Sequence, residues 1–163
     1  EYIMEGMFDA KKIAAYISKK YSEKFGKKIS PVRMQKTLYF AFAYWGGFFE
    51  KSKFQNEMEI NISQYKENLF WNRIEAWVYG PVIPDVYFEE DIESFFDENM
   101  FNDYEPVKEI VDNVIQDTFQ VNDFKLVDIS HCDNAWKNKF DYEETYHNNE
   151  IDKREIIEEY ARK

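Results

Sequence analysis

A single cysteine, Cys132, in 163 residues excludes an internal disulfide and suits a reducing compartment. Histidine is nearly as scarce. His131, Cys132 and His147 are the only imidazole or thiol ligands, too few for a structural zinc site, which takes four such groups at short paired spacings. A nucleophile pair of Cys132 with His147, or a hydrolase built on His131 and Cys132, has the right residue types. The sequence supplies neither an oxyanion hole nor an orienting group to go with them. The five glycines form no phosphate loop, and no nucleophile elbow or HExxH zinc motif occurs. No catalytic, cofactor or metal residue is therefore expected, and no enzymatic activity. The longest uncharged run, Thr37 to Phe49, falls well short of the roughly 20 residues that cross a bilayer. No secretory signal is visible, so a cytoplasmic location is expected. The Asn61, Ile62, Ser63 triplet is then not expected to carry sugar. Residues 1–6, EYIMEG, precede a candidate start at Met7 and are expected to be leader or appended sequence, with one domain over 7–163.

Aromatic rings are abundant: 15 Phe, 12 Tyr and 4 Trp. Each can bury about 150–250 Å², so the core is expected to be rich in rings. The stretch Ser30 to Trp45, SPVRMQKTLYFAFAYW, organises the rest. Ser30 can accept from free helix amides and Pro31 fits the first helical position. Leu38, Tyr39, Phe40, Phe42, Tyr44 and Trp45 fall on every side of a helical wheel, so this helix must be covered all round. Gly46 and Gly47 are expected to end it. Asp9 is a candidate N-cap for a first helix to about Lys20, with Ala10, Ile13, Ala14, Ile17 and Tyr21 inward. Met58, Ile60 and Ile62, and again Ile74, Ala76 and Val78, alternate with more polar neighbours. This predicts a two-stranded ribbon over about 57–63 and 73–79 lying on a helix. Gly80 and Pro81 read as a turn, and Pro84 can start another helix with Val86, Tyr87, Ile92, Phe95 and Phe96 inward. Pro106 opens a strongly periodic helix through Val107, Ile110, Val111, Val114, Ile115 and Thr118. A short helix near Asp123 to Ser130, a polar loop over Tyr142 to Glu150, and a last helix near Ile151 to Tyr160 complete a mainly α domain.

Charge is divided along the chain. Between Asp9 and Thr37 nine Lys or Arg face two acids, whereas between Asp85 and Asp123 thirteen acids face Lys108 alone. The net charge of -11 argues against nonspecific nucleic-acid binding, since polyanions are attracted by clustered cations that release counterions. A bipolar molecule is expected, whose acidic segment could steer a basic partner. An inhibitor that mimics nucleic acid on a host nucleic-acid-binding protein is the alternative function. The acids near Glu89 to Glu93 and Asp97 to Glu98 lack the spacing and glycine of a calcium loop.

Three separated segments together are similar to one family. PVRMQKTLYFAFAYW carries Gln35, Lys36, Leu38 and Tyr39 of its helix signature. NLFWNRIEAWVYGPVIPDVY carries Glu75, Ala76, Trp77, Gly80, Pro81, Val82 and Tyr87. LVDISHCDNAWKNKF carries His131 and Trp136, and IDKREIIEEYARK follows. The chain from Phe8 to Tyr160 thereby resembles the Panacea antitoxin domain, a phage-associated, SocA-like and GepA-like domain. Two departures are a longer Phe49 to Asn68 connection and Thr37 where Leu is common. The resemblance implies a toxin–antitoxin system in which this chain binds and neutralises a cognate protein toxin. Some relatives deliver toxin to a protease, which makes a host protease a second implied partner. Most signature residues are expected to be structural. The partner is expected near Trp77 to Tyr87, on Trp77, Tyr79, Asp85, Tyr87, Glu89 and Glu90, because exposed rings are enriched at protein interfaces.

Overall fold

Helix α2, Pro31–Ser52, is the axis of a mainly α domain; the computed structural model describes residues 5–53 and 64–163. From Met34 to Ala43 every residue is buried, as an all-round apolar surface demands. Ser30 caps the helix, accepting from the Arg33 amide at 3.1 Å. The helix does not end at Gly46 and Gly47; it runs through both to Ser52. Close packing is the reason. A Cβ on Gly46 would lie 2.5 Å from Ile157 Cγ1, and one on Gly47 would lie 2.9 Å from the Tyr160 backbone. The glycines act as a seat for helix α7, Lys153–Ala161, rather than as a stop.

Helix α1, Ala10–Phe25, is capped by Asp9 and ends at Gly26 in the left-handed conformation, φ 68°. It runs one turn beyond the expected Lys20. Helix α4, Glu105–Thr118, buries Val107, Val111, Val114, Ile115 and Thr118 against α2. Thr37 Oγ1 donates to Thr118 Oγ1 at 2.9 Å. Helices α5, Asp123–His131, and α6, Asn134–Lys137, follow, and α7 closes the domain on Ile156, Ile157 and Tyr160.

The sheet differs from the expected ribbon. Strand β1, Glu75–Trp77, pairs antiparallel with β2, Gly80–Val82, and on its other side with β3, Asn149–Glu150. The expected first strand, about 57–63, lies outside the described residues. Gly80 and Pro81 do turn the chain, but they also form β2 opposite Trp77 and Ala76. Pro81 is tolerated because β2 is an edge strand, where a missing amide costs no ladder bond. The polar stretch Tyr142 to Glu150 ends in β3 rather than remaining loop throughout. Helix α3, Pro84–Tyr87, is a single turn, and a 3-10 turn over Ile92–Phe95 follows. The longer helix that Pro84 could have opened is absent, and Tyr87, expected inward, stands about half exposed because only Val86 of this single turn faces the core.

The charge division is bridged in part by the fold. The acidic stretch folds onto the basic one: Lys11 pairs with Glu89 at 3.1 Å, Lys12 with Asp97 at 3.7 Å, and Arg33 with Asp123 at 3.1 Å. Segregation in sequence becomes adjacency in space.

Candidate partner-binding surface

Two polar residues of α2 hold the β1–β2 hairpin. Lys36 is 1% exposed and its Nζ donates to the Pro81 carbonyl at 3.0 Å. Burial lowers its pKa to about 7 because charge is costly away from water. One residue earlier, Gln35 Oε1 accepts from the Ile83 amide at 2.7 Å. These two bonds satisfy the edge of β2 from the helix side. Gly80, with φ 108°, lets the turn sit on Ser130 and Lys36; an added Cβ would collide with the Ser130 hydroxyl.

The other side of the hairpin is gripped by α5 and α6. Trp136 Nε1 donates to the Trp77 carbonyl at 2.8 Å, and His131 Nε2 lies 3.0 Å from the Val78 carbonyl. A carbonyl only accepts, so the proton must be on Nε2. Burial lowers the His131 pKa, against the Val78 bond that raises it; nearby Lys36 lowers it further. The imidazole also stacks on Trp136, with ring centres 4.2 Å apart.

So held, the hairpin and α3 present aromatic side chains to solvent. Tyr79 stands at the hairpin tip and is 66% exposed, while Tyr87 is about half exposed. Trp77 is half-buried and forms the floor, its ring 5.0 Å from that of Tyr87 and 6.2 Å from Phe88. Its Nε1 donates to Glu75 Oε1 at 2.9 Å, and Glu75 in turn pairs with Arg73 at 2.7 Å. Phe88, 69% exposed, was not among the expected contact residues. Sequence alone did not reveal it, because Pro84 could have opened a longer helix; the exposure of Phe88 follows from α3 ending after one turn. Val78, also exposed at the turn, is the second residue missed.

The acids divide. Asp85 is exposed but accepts from Asn72 Nδ2 at 2.8 Å, and Asn72 Oδ1 accepts from the Ala10 amide at 2.7 Å. Asp85 thus ties α3 to the start of α1. Glu89 is held by the Asp91 amide and by Lys11, which together lower its pKa. Glu90 is exposed beside them.

The remaining candidates do not assemble into a reaction centre. His131 is engaged by Val78, whereas Cys132 Sγ donates to the Asp128 carbonyl at 3.4 Å. His147 Nδ1 lies 3.2 Å from Asp141 Oδ2 and 3.0 Å from Glu144 Oε2 in the 141–147 loop. Backbone amides of Glu143 and Glu144 already occupy the other Asp141 oxygen. This is a hydrogen-bonded group on one surface loop.

Behind the hairpin lies a buried acid that the sequence did not single out. Asp133, 2% exposed, accepts from the Tyr39 and Tyr160 hydroxyls, each at 2.6 Å, and pairs with Lys163 at 3.1 Å. Burial, foremost, pushes both phenol pKa values well up, helped by the Asp133 charge. Asp133 stands inside the LVDISHCDNAWKNKF segment, but nothing in a lone acid's sequence context distinguishes a buried one.

Residues 58–137 match the model of the family described as Antitoxin SocA-like, Panacea domain. This stretch, a little under half of the chain, is similar to a SocA-like Panacea domain. The matched stretch includes the hairpin, α3, α4 and α5 and ends at the close of α6. Helix α2 lies outside it but is bonded to it through Lys36 to Pro81, Gln35 to Ile83 and Tyr39 to Asp133. No curated protein and no solved structure matches the chain.

Proposed function

We propose that this Panacea domain is a non-enzymatic antitoxin that neutralises a cognate protein toxin by binding it directly through the hairpin face. The observation that carries this reading is the exposed group Val78, Tyr79, Tyr87 and Phe88 on a backbone fixed from both sides by Lys36, Gln35, His131 and Trp136. Rigid aromatic anchors cost little entropy on binding and dominate protein interfaces. The acids that suggested nucleic-acid mimicry are partly spent on α1 and α2 cations, which removes the main support for that alternative.

Co-expression with the product of the neighbouring reading frame tests the proposal. That product should be toxic alone and harmless with the wild-type chain. A Tyr79→Ala, Phe88→Ala double variant should lose protection while keeping its thermal midpoint. A neighbour that is harmless alone and does not co-purify removes the basis of the proposal. Simple blocking leaves the toxin level unchanged on co-expression, whereas delivery to a protease lowers it.

A further inference from the structure

A groove of about 450 Å³ opens between α2, α4, α5 and α7, away from the hairpin contacts of Lys36 and Trp136. Phe40, Tyr44 and Phe48 line it along one side of α2, at the i, i+4, i+8 spacing of a single helix face. Val114 of α4 faces them, and Leu126 and Ile129 of α5 complete the apolar wall. Tyr44 is 50% exposed and Ile129 38% exposed, so both rings and methyls are left in water that a partner would displace. The polar groups at its floor are already satisfied. Thr118 Oγ1 is bonded to Thr37 and Tyr160 OH to Asp133. A polar small molecule would find few orienting groups here.

Charge is arranged along the groove. Thr37 and Thr118 bond across α2 and α4, which places Asp117 near the N-terminal half of α2. Lys51 lies at the other end of α2, with its Nζ donating to the Lys163 carbonyl at 3.0 Å. The groove thus runs from Asp117 to Lys51, beside a Lys163 already paired with Asp133, over the Phe40 to Lys51 length of α2, about 16 Å at 1.5 Å per residue. That length accommodates about three helical turns. An isolated helix carries partial positive charge at its N-terminus and negative charge at its C-terminus, which matches the groove when its N-terminus meets Asp117. We infer that this groove receives an amphipathic helix of the toxin, apolar face inward, running from Asp117 towards Lys51 and Lys163. The inference rests on the proposal that the partner is a protein toxin, and adds a second, separate contact to the hairpin face.

The test uses the full chain and the product of the neighbouring reading frame, purified, with affinity measured by calorimetry. Ile129→Lys and Tyr44→Arg should each weaken binding about tenfold or more, without lowering the thermal midpoint. Lys51→Glu should weaken it several-fold, and a benzophenone side chain placed at position 44 should cross-link to a helical segment of the toxin. Unchanged affinity in all three variants, with no cross-link, overturns the groove while leaving the antitoxin proposal intact if Phe88→Ala still weakens binding. Groove variants that dissolve a self-associated form but bind toxin as before assign the groove to a second copy and also overturn the inference. Absence of any complex overturns the antitoxin proposal and this inference with it.

Discussion

Lys36 shows at the scale of one residue how a buried polar side chain holds the hairpin. Its ammonium group is buried, bonded to a carbonyl, and paired with no carboxylate among the described residues. Its folded-state pKa is lowered to about 7, whereas in the unfolded chain it is near 10.4. Between those values the unfolded chain holds a proton that the folded chain has released, so stability rises with pH across that window. Below pH 7 both states are protonated and the burial penalty is present in full. Urea unfolding should therefore show a midpoint that climbs from pH 7 to 9, about one unit below the ordinary phenol pKa of about 10. In Lys36→Met that climb should shrink or vanish; parallel curves for the two proteins would refute the assignment. Asp133 has the complementary position, a buried carboxylate with two phenol donors and one lysine. Lys36 and Tyr39 are thus both engaged in buried structural contacts, with the Pro81 carbonyl and with Asp133.

The α2–α7 contact carries the fold at the scale of elements. Two glycines in mid-helix cost about 1 kcal/mol each relative to alanine, and α2 tolerates them because the helices meet there without Cβ atoms between them. Arg154 on α7 strengthens the same seam by pairing with Glu50 at 2.6 Å and Glu67 at 3.2 Å. Gly46→Ala should therefore destabilise by about 1–3 kcal/mol through overpacking, despite alanine's better helix propensity. Chemical denaturation of Gly46→Ala alone and with Ile157→Ala checks the cause. Part of the loss should return in the double variant if the collision with Ile157 is responsible. A stabilised single variant would show that α7 yields freely.

For the whole molecule, the pairing of the acidic and basic segments limits long-range electrostatics. The net charge remains -11, yet Glu89, Asp97 and Asp123 have cationic neighbours. The proposed toxin binding through aromatic and apolar surfaces should then depend only modestly on ionic strength. Between 50 and 500 mM salt, where screening of exposed charges becomes nearly complete, affinity should fall less than about tenfold. A steep loss, of the kind seen when many phosphates or cations are displaced, would restore acid-led recognition as the principal mechanism. No helix among the described residues is long and apolar enough to cross a membrane.

Local chemistry determined much of this protein. Asp9, Ser30 and the proline-led starts of α2, α3 and α4 mark helix beginnings because capping and proline geometry act over a few residues. The apolar periodicity of α4 and the uncharged surface of α2 foretold their burial. Other features depended on partners distant in the chain. Gly46 and Gly47 have the composition of a helix end, and only Ile157 and Tyr160 make them a packing seat. Ala76 has the alternation of a strand, but its neighbours at Pro81 and Asn149 follow from tertiary pairing. The candidate site divides in the same way. Trp77, Tyr79 and Tyr87 were legible from ring type and position, whereas the exposure of Phe88, the burial of Asp133 and the groove beside Tyr44 arise only when separate helices converge. Sequence specifies which groups can cap, alternate or avoid water, and the tertiary structure decides which of them meet.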